Sequence, residues 1–148
     1  MAGLGHVVFY VRELQRSVRF YTEIVGLGLQ GRIFNGRAAL LRGGSTHHEL
    51  LLIQVGAADG PLQGKRIGLY HVGWKVGDSL AQLKSVYARI NALGYSVDAL
   101  SDHTISQSIY LRDPDGNEVE LYVDDPDVDW QHDKSWMESP VKPLILDS

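Results

Sequence analysis

Apolar and polar residues alternate from His6 to Val11, with Val7, Phe9 and Val11 on one face and His6, Val8 and Tyr10 on the other. Successive side chains of a strand leave opposite faces, so this pattern predicts a half-buried strand. The period then lengthens. Val18, Tyr21, Ile24 and Val25 recur at three- and four-residue spacing, which predicts a helix over about 13–25 with Gly26 as its stop. Strands are predicted at about 27–34, 37–42 and 48–55, the first two joined by an Asn35-Gly36 hairpin turn. The same plan returns after a Gly-, Ala- and Asp-rich stretch. A strand is predicted at 70–76, and Asp78-Ser79 can cap a helix running to about 93, whose stripe is Leu80, Leu83, Val86, Tyr87 and Ile90. Gly94 ends it. Strands near 96–100, 107–112 and 118–123 complete the second half.

The order is therefore βαβββ, twice, and the openings of the two halves resemble each other: Gly3-Leu4-Gly5-His6-Val7-Val8 recurs as Gly68-Leu69-Tyr70-His71-Val72-Gly73. The predicted class is α+β, with a first module at about 3–56, a linker at about 57–67, a second module at about 68–124 and a tail at 125–148. The tail has no periodicity and is expected to wrap over the body or a partner subunit. At 148 residues the chain has room for one domain with a substantial core.

Face analysis brings three candidate metal ligands together. Val72, Trp74 and Val76 share the apolar face of their strand, leaving His71, Gly73 and Lys75 opposite; Val119, Leu121 and Val123 leave Glu118, Glu120 and Tyr122 opposite. His6, His71 and Glu120 thus lie on faces turned away from the helices. If the sheet curls into a cup, the three meet inside it. Two imidazoles and one carboxylate on one side of an ion leave the other positions open, an arrangement suited to ferrous iron and, less exclusively, to manganese or nickel. Open positions point to substrate coordination rather than to a structural metal.

Composition narrows the field. Fourteen basic and eighteen acidic residues give a formal charge of −4, so nucleic-acid binding has no compositional support. The absence of cysteine excludes disulfides, zinc–thiolate sites and thiol nucleophiles. No apolar run approaches the length of a membrane span, and no basic-then-apolar leader opens the chain, so a cytoplasmic address is expected.

The doubled plan, the pair Leu4-Gly5-His6 and Leu69-Tyr70-His71, and the run Arg112-Asp113-Pro114-Asp115-Gly116-Asn117-Glu118-Val119-Glu120-Leu121 resemble the vicinal-oxygen-chelate superfamily of glyoxalases, bleomycin- and fosfomycin-resistance proteins and extradiol dioxygenases. The likeness covers about 1–124. It implies a curled eight-stranded mixed sheet with helices outside and bidentate coordination of neighbouring substrate oxygens.

His48 and Glu49 are adjacent and should face opposite ways. Glu49 directed inward would give the four-ligand set of the glyoxalase branch, with manganese, nickel or zinc. His48 directed inward would leave three ligands and a free imidazole. Glu49 shares its face with Leu51, Ile53 and Val55, an unbroken apolar series expected to pack on the helix, which favours His48 inward; a bulge would reverse the two.

The segment His47-His48-Glu49-Leu50-Leu51-Leu52 also resembles the histidine-bearing strand of extradiol catechol dioxygenases. Ser101-Asp102-His103, with Ser106 to Arg112 after it, resembles their segment carrying a second histidine and an active-site tyrosine. That resemblance implies His48 as acid–base residue and His103 with Tyr110 as supporting groups. It also implies a catecholic substrate with dioxygen as co-substrate, and a homodimer. The alternatives are a glyoxalase-like isomerase or lyase and a metal-free sequestering protein of the bleomycin-resistance kind. Glu118, beside the turn, is expected to meet solvent. Lys75 and Arg112 are expected in salt bridges.

Overall fold

The computed structural model describes residues 1–147. They divide into two compact units, Met1–Gln63 with Asp113–Gly116, and Gly64–Arg112 with 117–147.

In the first unit β1 (Val7–Val11) is followed by α1 (Leu14–Phe20), then β2 (Gly28–Ile33), β3 (Ala38–Arg42) and β4 (Leu50–Gln54). The sheet order is β1-β4-β3-β2, with β1 parallel to β4 and the other pairs antiparallel. The helix is shorter than its apolar stripe suggests. Its last turn, Tyr21–Val25, widens to π geometry, and the Tyr21 carbonyl accepts from both Gly26 N and Leu27 N. Gly26 reverses the chain at φ 93°, where a Cβ would be strained. Leu14, Val18, Phe20, Tyr21 and Ile24 are buried with α1 lying on β3 and β4, against Leu41, Leu50 and Leu52.

The β2–β3 hairpin turns at Asn35-Gly36 as expected, both at positive φ, with Arg37 N donating to Phe34 O at 3.2 Å and Phe34 also at positive φ. One expectation is corrected: the two faces of β4 are the reverse of those expected. Leu50 and Leu52 are wholly buried and Gln54 Oε1 accepts from Leu14 N, whereas Leu51 and Ile53 are only half-buried. Hydrophobic series on both faces made the strand ambiguous, and α1 selected the face with a polar residue at its end.

A polar knot closes this unit. Asp115, its side chain 5% exposed, accepts from Arg12 Nη1 at 3.0 Å and Arg16 Nη2 at 3.3 Å, with longer contacts from Arg12 N and Ser17 Oγ. Asp113 accepts from the buried Tyr21 hydroxyl at 2.8 Å and from Asp115 N at 2.9 Å. Burial and the adjacent Asp113 charge push the Tyr21 phenol up.

The second unit repeats the topology. β5 (His71–Gly77) leads to α2 (Leu80–Ala92), β6 (Val97–Asp102), β7 (Ser106–Arg112) and β8 (Glu118–Asp124). Ser79 Oγ caps α2 by accepting from Gln82 N. The helix closes in a Schellman arrangement, with Tyr95 N donating to Ile90 O, Gly94 N to Asn91 O, and Gly94 at φ 78°. Leu83, Val86 and Ile90 bury the face of α2 that lies on β5, β7 and β8, against Ile109, Leu111, Val119, Leu121 and Val123. The eight expected strands are thus present, four in each module, with one helix on one face of each sheet.

A short ninth strand comes from the tail. β9 (Lys142–Pro143) pairs antiparallel with β6, giving the order β5-β8-β7-β6-β9, and Leu146 is buried. No described helix is long and apolar enough to cross a membrane.

Candidate active site

The second unit gathers four of the six predicted site residues around β8. This strand runs between β5 and β7, so Glu120 stands opposite both Gly73 and Tyr110, and Glu118 stands opposite His71. Gly73 leaves room for the glutamate: a Cβ there would lie 3.3 Å from Glu120 Oε2. His71 Nε2 lies 3.0 Å from that same oxygen. The other oxygen, Oε1, accepts from Ser108 Oγ at 2.6 Å and from the Tyr110 hydroxyl at 3.0 Å. His103 Nε2 is 2.8 Å from the Tyr110 oxygen. The phenol proton is committed to Glu120, so His103 must donate, which identifies its neutral form as the Nε2–H tautomer. The polar chain therefore runs His103 to Tyr110 to Glu120, with Glu120 Oε2 turned to His71. Burial first, and the Glu120 charge next, hold Tyr110 well above the usual phenol range, so it stays a donor in this chain.

The remaining two residues lie together in the first unit. His6 precedes β1, and its ring stands 4.7 Å from that of His48, which in turn lies tilted beside that of His47 at 4.5 Å. Desolvation, with the neighbouring His47 and His6, lowers the His48 pKa from its ordinary value and favours the neutral imidazole. His48 reaches this position although alternation from Leu50 would turn it toward the helix, because the chain bends at Glu49 before β4 begins.

That bend also decides what Glu49 does. Its carboxylate accepts from Gly43 N at 2.5 Å, from Ser45 N and Thr46 N at 2.9 Å, and from Ser45 Oγ at 3.0 Å. These donors, the Gly43 N–H foremost, bring it down to about 2. A carboxylate so occupied fastens the β3–β4 loop. The folded pKa lies below the ordinary value, so this fastening is complete above about pH 4.5 and is lost as pH falls toward 2. Amide hydrogen exchange at Ser45 and Thr46 should show protection factors falling over that interval. Glu49→Gln should lower them roughly tenfold at neutral pH and abolish the pH dependence; unchanged protection in Glu49→Gln would overturn this role.

His71 Nε2 and Glu120 Oε2 have the spacing of two donors to one divalent ion. Two atoms each about 2.1 Å from one ion and at right angles to each other stand roughly 3 Å apart, and His71 Nε2 and Glu120 Oε2 are 3.0 Å apart. Among the described residues no group of three or more His, Asp or Glu side chains is placed to hold a metal. Glu118 was missed by the sequence reading. Rather than meeting solvent, its carboxylate is 15% exposed and lies 3.1 Å from His71 Nδ1. Its spacing of two residues puts it on the face of Glu120, but its pairing with His71 comes from the β5–β8 register. Lys75 pairs with Asp78 and Asp124, and Arg112 with Asp98, as expected.

Comparison with known proteins gives the architecture a family. Catechol-2,3-dioxygenase of Bacillus subtilis (strain 168) is 30% identical over 132 residues, covering 88% of this chain and 45% of that protein. A 2,2',3-trihydroxybiphenyl dioxygenase of Sphingomonas paucimobilis is 29% identical over 124 residues, covering 80% and 40% respectively. The chain thus spans less than half the length of these two relatives. Biphenyl-2,3-diol 1,2-dioxygenase 3 of Rhodococcus globerulus is 25% identical over 148 residues, with 95% and 75% covered. Among solved structures, a glyoxalase/dioxygenase from Nostoc punctiforme superposes with a TM-score of 0.71 at 19% identity, covering 83% of this chain and 91% of that one, a likeness of fold alone. The sequence profile of the Glyoxalase/Bleomycin resistance protein/Dioxygenase superfamily matches residues 3–121, and the chain belongs to that superfamily.

Proposed function

We propose that the protein is an extradiol-type ring-cleaving dioxygenase acting on a catecholic small molecule, with ferrous iron held by His6, His71 and Glu120. The observation that carries this reading is the hydrogen-bonded chain from His103 through Tyr110 to Glu120, which places two proton-bearing groups behind the carboxylate that faces His71. A protein that merely sequesters a ligand has no need of such a chain. The printed names of the relatives, catechol and biphenyl-diol dioxygenases, favour the same substrate class.

The iron, when bound, supplies a Lewis-acid centre with open positions for neighbouring substrate oxygens and for dioxygen. The chain's own residues supply the proton chemistry. A catechol must lose a proton to chelate a metal, and His48, held neutral by its surroundings, is the base that accepts it. Tyr110, its proton given to Glu120, orients a substrate hydroxyl by accepting from it through its remaining lone pair, and His103 holds the phenol in register through its Nε2–H. The glyoxalase-like alternative calls for a further carboxylate ligand from the fourth strand, and Glu49 is already committed to four donors.

Anaerobic reconstitution with ferrous iron, addition of a catechol panel and admission of oxygen tests the proposal. Oxygen uptake matched to yellow ring-cleavage product is expected. Iron bound with no turnover on any catechol would favour the isomerase branch, and no metal bound would favour the sequestering protein.

A further inference from the structure

Thr104 follows His103 in the β6–β7 turn and carries two local costs. Its φ is 73°, in the left-handed region that a β-branched residue rarely adopts. Its hydroxyl oxygen is buried and has no hydrogen-bond partner among the described residues. Glycine or asparagine is the ordinary occupant of such a position. A strained residue persists only where its surroundings over-determine it, so neighbouring groups must hold this one.

The hold is visible in the hydrogen bonds. Thr104 N donates to Asp102 Oδ1 at 2.8 Å. Ile105 N donates to His103 O at 2.9 Å, closing a three-residue turn centred on Thr104, and His103 N donates to Ser106 O at 2.8 Å. Ile105 O accepts from Asp125 N at 2.7 Å. Gln107, itself buried, bridges the Asp102 and Asp125 carboxylates through Nε2, at 3.3 Å to each. Asp102 is a firm anchor, since it stands in register with Gln107 of β7 on one side and Lys142 of β9 on the other. Both backbone groups of His103 are thus used inside the turn, and its ring reaches Tyr110, with Nε2 2.8 Å from the phenol oxygen.

We propose that Asp102 is a positioning residue: through Thr104 N–H it holds the β6–β7 turn against the turn's own backbone preference, and so keeps the His103 ring on the Tyr110 hydroxyl. Without this acceptor Thr104 relaxes to negative φ, the turn reopens, and the ring leaves Tyr110. The inference rests on the dioxygenase reading for what His103 does there, though not for how His103 is held.

The contact is therefore read first in the metal-free protein, as the nuclear Overhauser cross-peak between the ring protons of His103 and Tyr110, whose centroids are 6.2 Å apart. Asp102→Ala is expected to lose most of this cross-peak. Asp102→Asn, whose amide oxygen still accepts from Thr104 N, should retain it. Adding Thr104→Gly to Asp102→Ala should restore it, because glycine adopts this φ with no strain to release. A merely structural role for Asp102 would not be rescued in this way. Thr104→Gly alone should keep the cross-peak and raise the melting temperature by about 2–4 °C. A cross-peak undiminished in Asp102→Ala overturns the proposal, as does its absence from the double variant. A lowered melting temperature in Thr104→Gly also overturns it, whether or not Asp102→Ala folds, because no strain is then being held. With ferrous iron and a catechol, Asp102→Ala should lower kcat about 10–100-fold with KM little changed, and the double variant should recover. Wild type with no catechol turnover would sink the dioxygenase reading and leave the positioning of His103 to be decided by the cross-peaks.

Discussion

His71→Ala is expected to abolish stoichiometric metal binding and to lower catechol-dependent oxygen uptake at least about a thousandfold, or ~4 kcal/mol of activation free energy. In the proposed set His71 is one of only three ligands, so its loss costs more than the 10–100-fold of a residue acting from behind a ligand. Glu120 Oε2 loses the nitrogen at 3.0 Å, and Glu118 loses the nitrogen at 3.1 Å. The fold should survive, because the His71 side chain is 22% exposed and β5 keeps its backbone pairing to β8. Thermal unfolding within a few degrees of wild type, with turnover gone, is the expected pair of results. A variant that keeps one bound ion and measurable turnover would remove His71 from the ligand set.

Asp115→Ala should have the opposite profile, losing stability while the site's own groups are untouched. The carboxylate is buried and accepts from two guanidinium groups, a backbone N–H and the wholly buried Ser17 hydroxyl. Arg12 and Arg16 are about two-fifths exposed and can turn to water, so their attraction is not the main loss. Ser17 and the Arg12 N–H have no such recourse, and an unmet buried donor costs about 1–3 kcal/mol. The expected destabilisation is about 2–3 kcal/mol, lowering the melting temperature by roughly 4–12 °C. Arg16→Ala, which removes an exposed ion pair, should cost less than ~1 kcal/mol. Equal effects from the two substitutions would mean that the buried donors contribute little.

What the sequence could and could not disclose follows from which interactions are local. The helix-facing series Val72, Trp74 and Val76, and Val119, Leu121 and Val123, were legible because each strand buries one face against a helix and its partner face is polar. β4 was not, since Leu50, Leu51, Leu52 and Ile53 carry apolar side chains on both faces and only contact with α1 distinguishes them. The Glu49 bend was hidden for a related reason: its cause lies in the amides of residues 43–46, which no alternation pattern records. Tyr110 was legible from its position opposite Ile109 and Leu111. Glu118 required knowing that β5 and β8 run parallel in the register His71 to Glu118, a long-range pairing that spacing alone does not fix. The π-widened turn at Tyr21–Val25 likewise has no signature in the apolar stripe, which fits three- and four-residue spacing throughout.

The two-residue strand β9 has a bearing on how the chain keeps to itself. A sheet ending at β6 would offer the unpaired N–H and C=O groups of Val97–Asp102 as a template for another chain, the usual opening for aggregation by strand addition. Lys142 and Pro143 occupy part of that edge, opposite Asp102 and Ser101. Proline has no N–H to offer onward, and an exposed lysine resists a close second strand. The tail thus finishes the sheet with residues that discourage it from growing further.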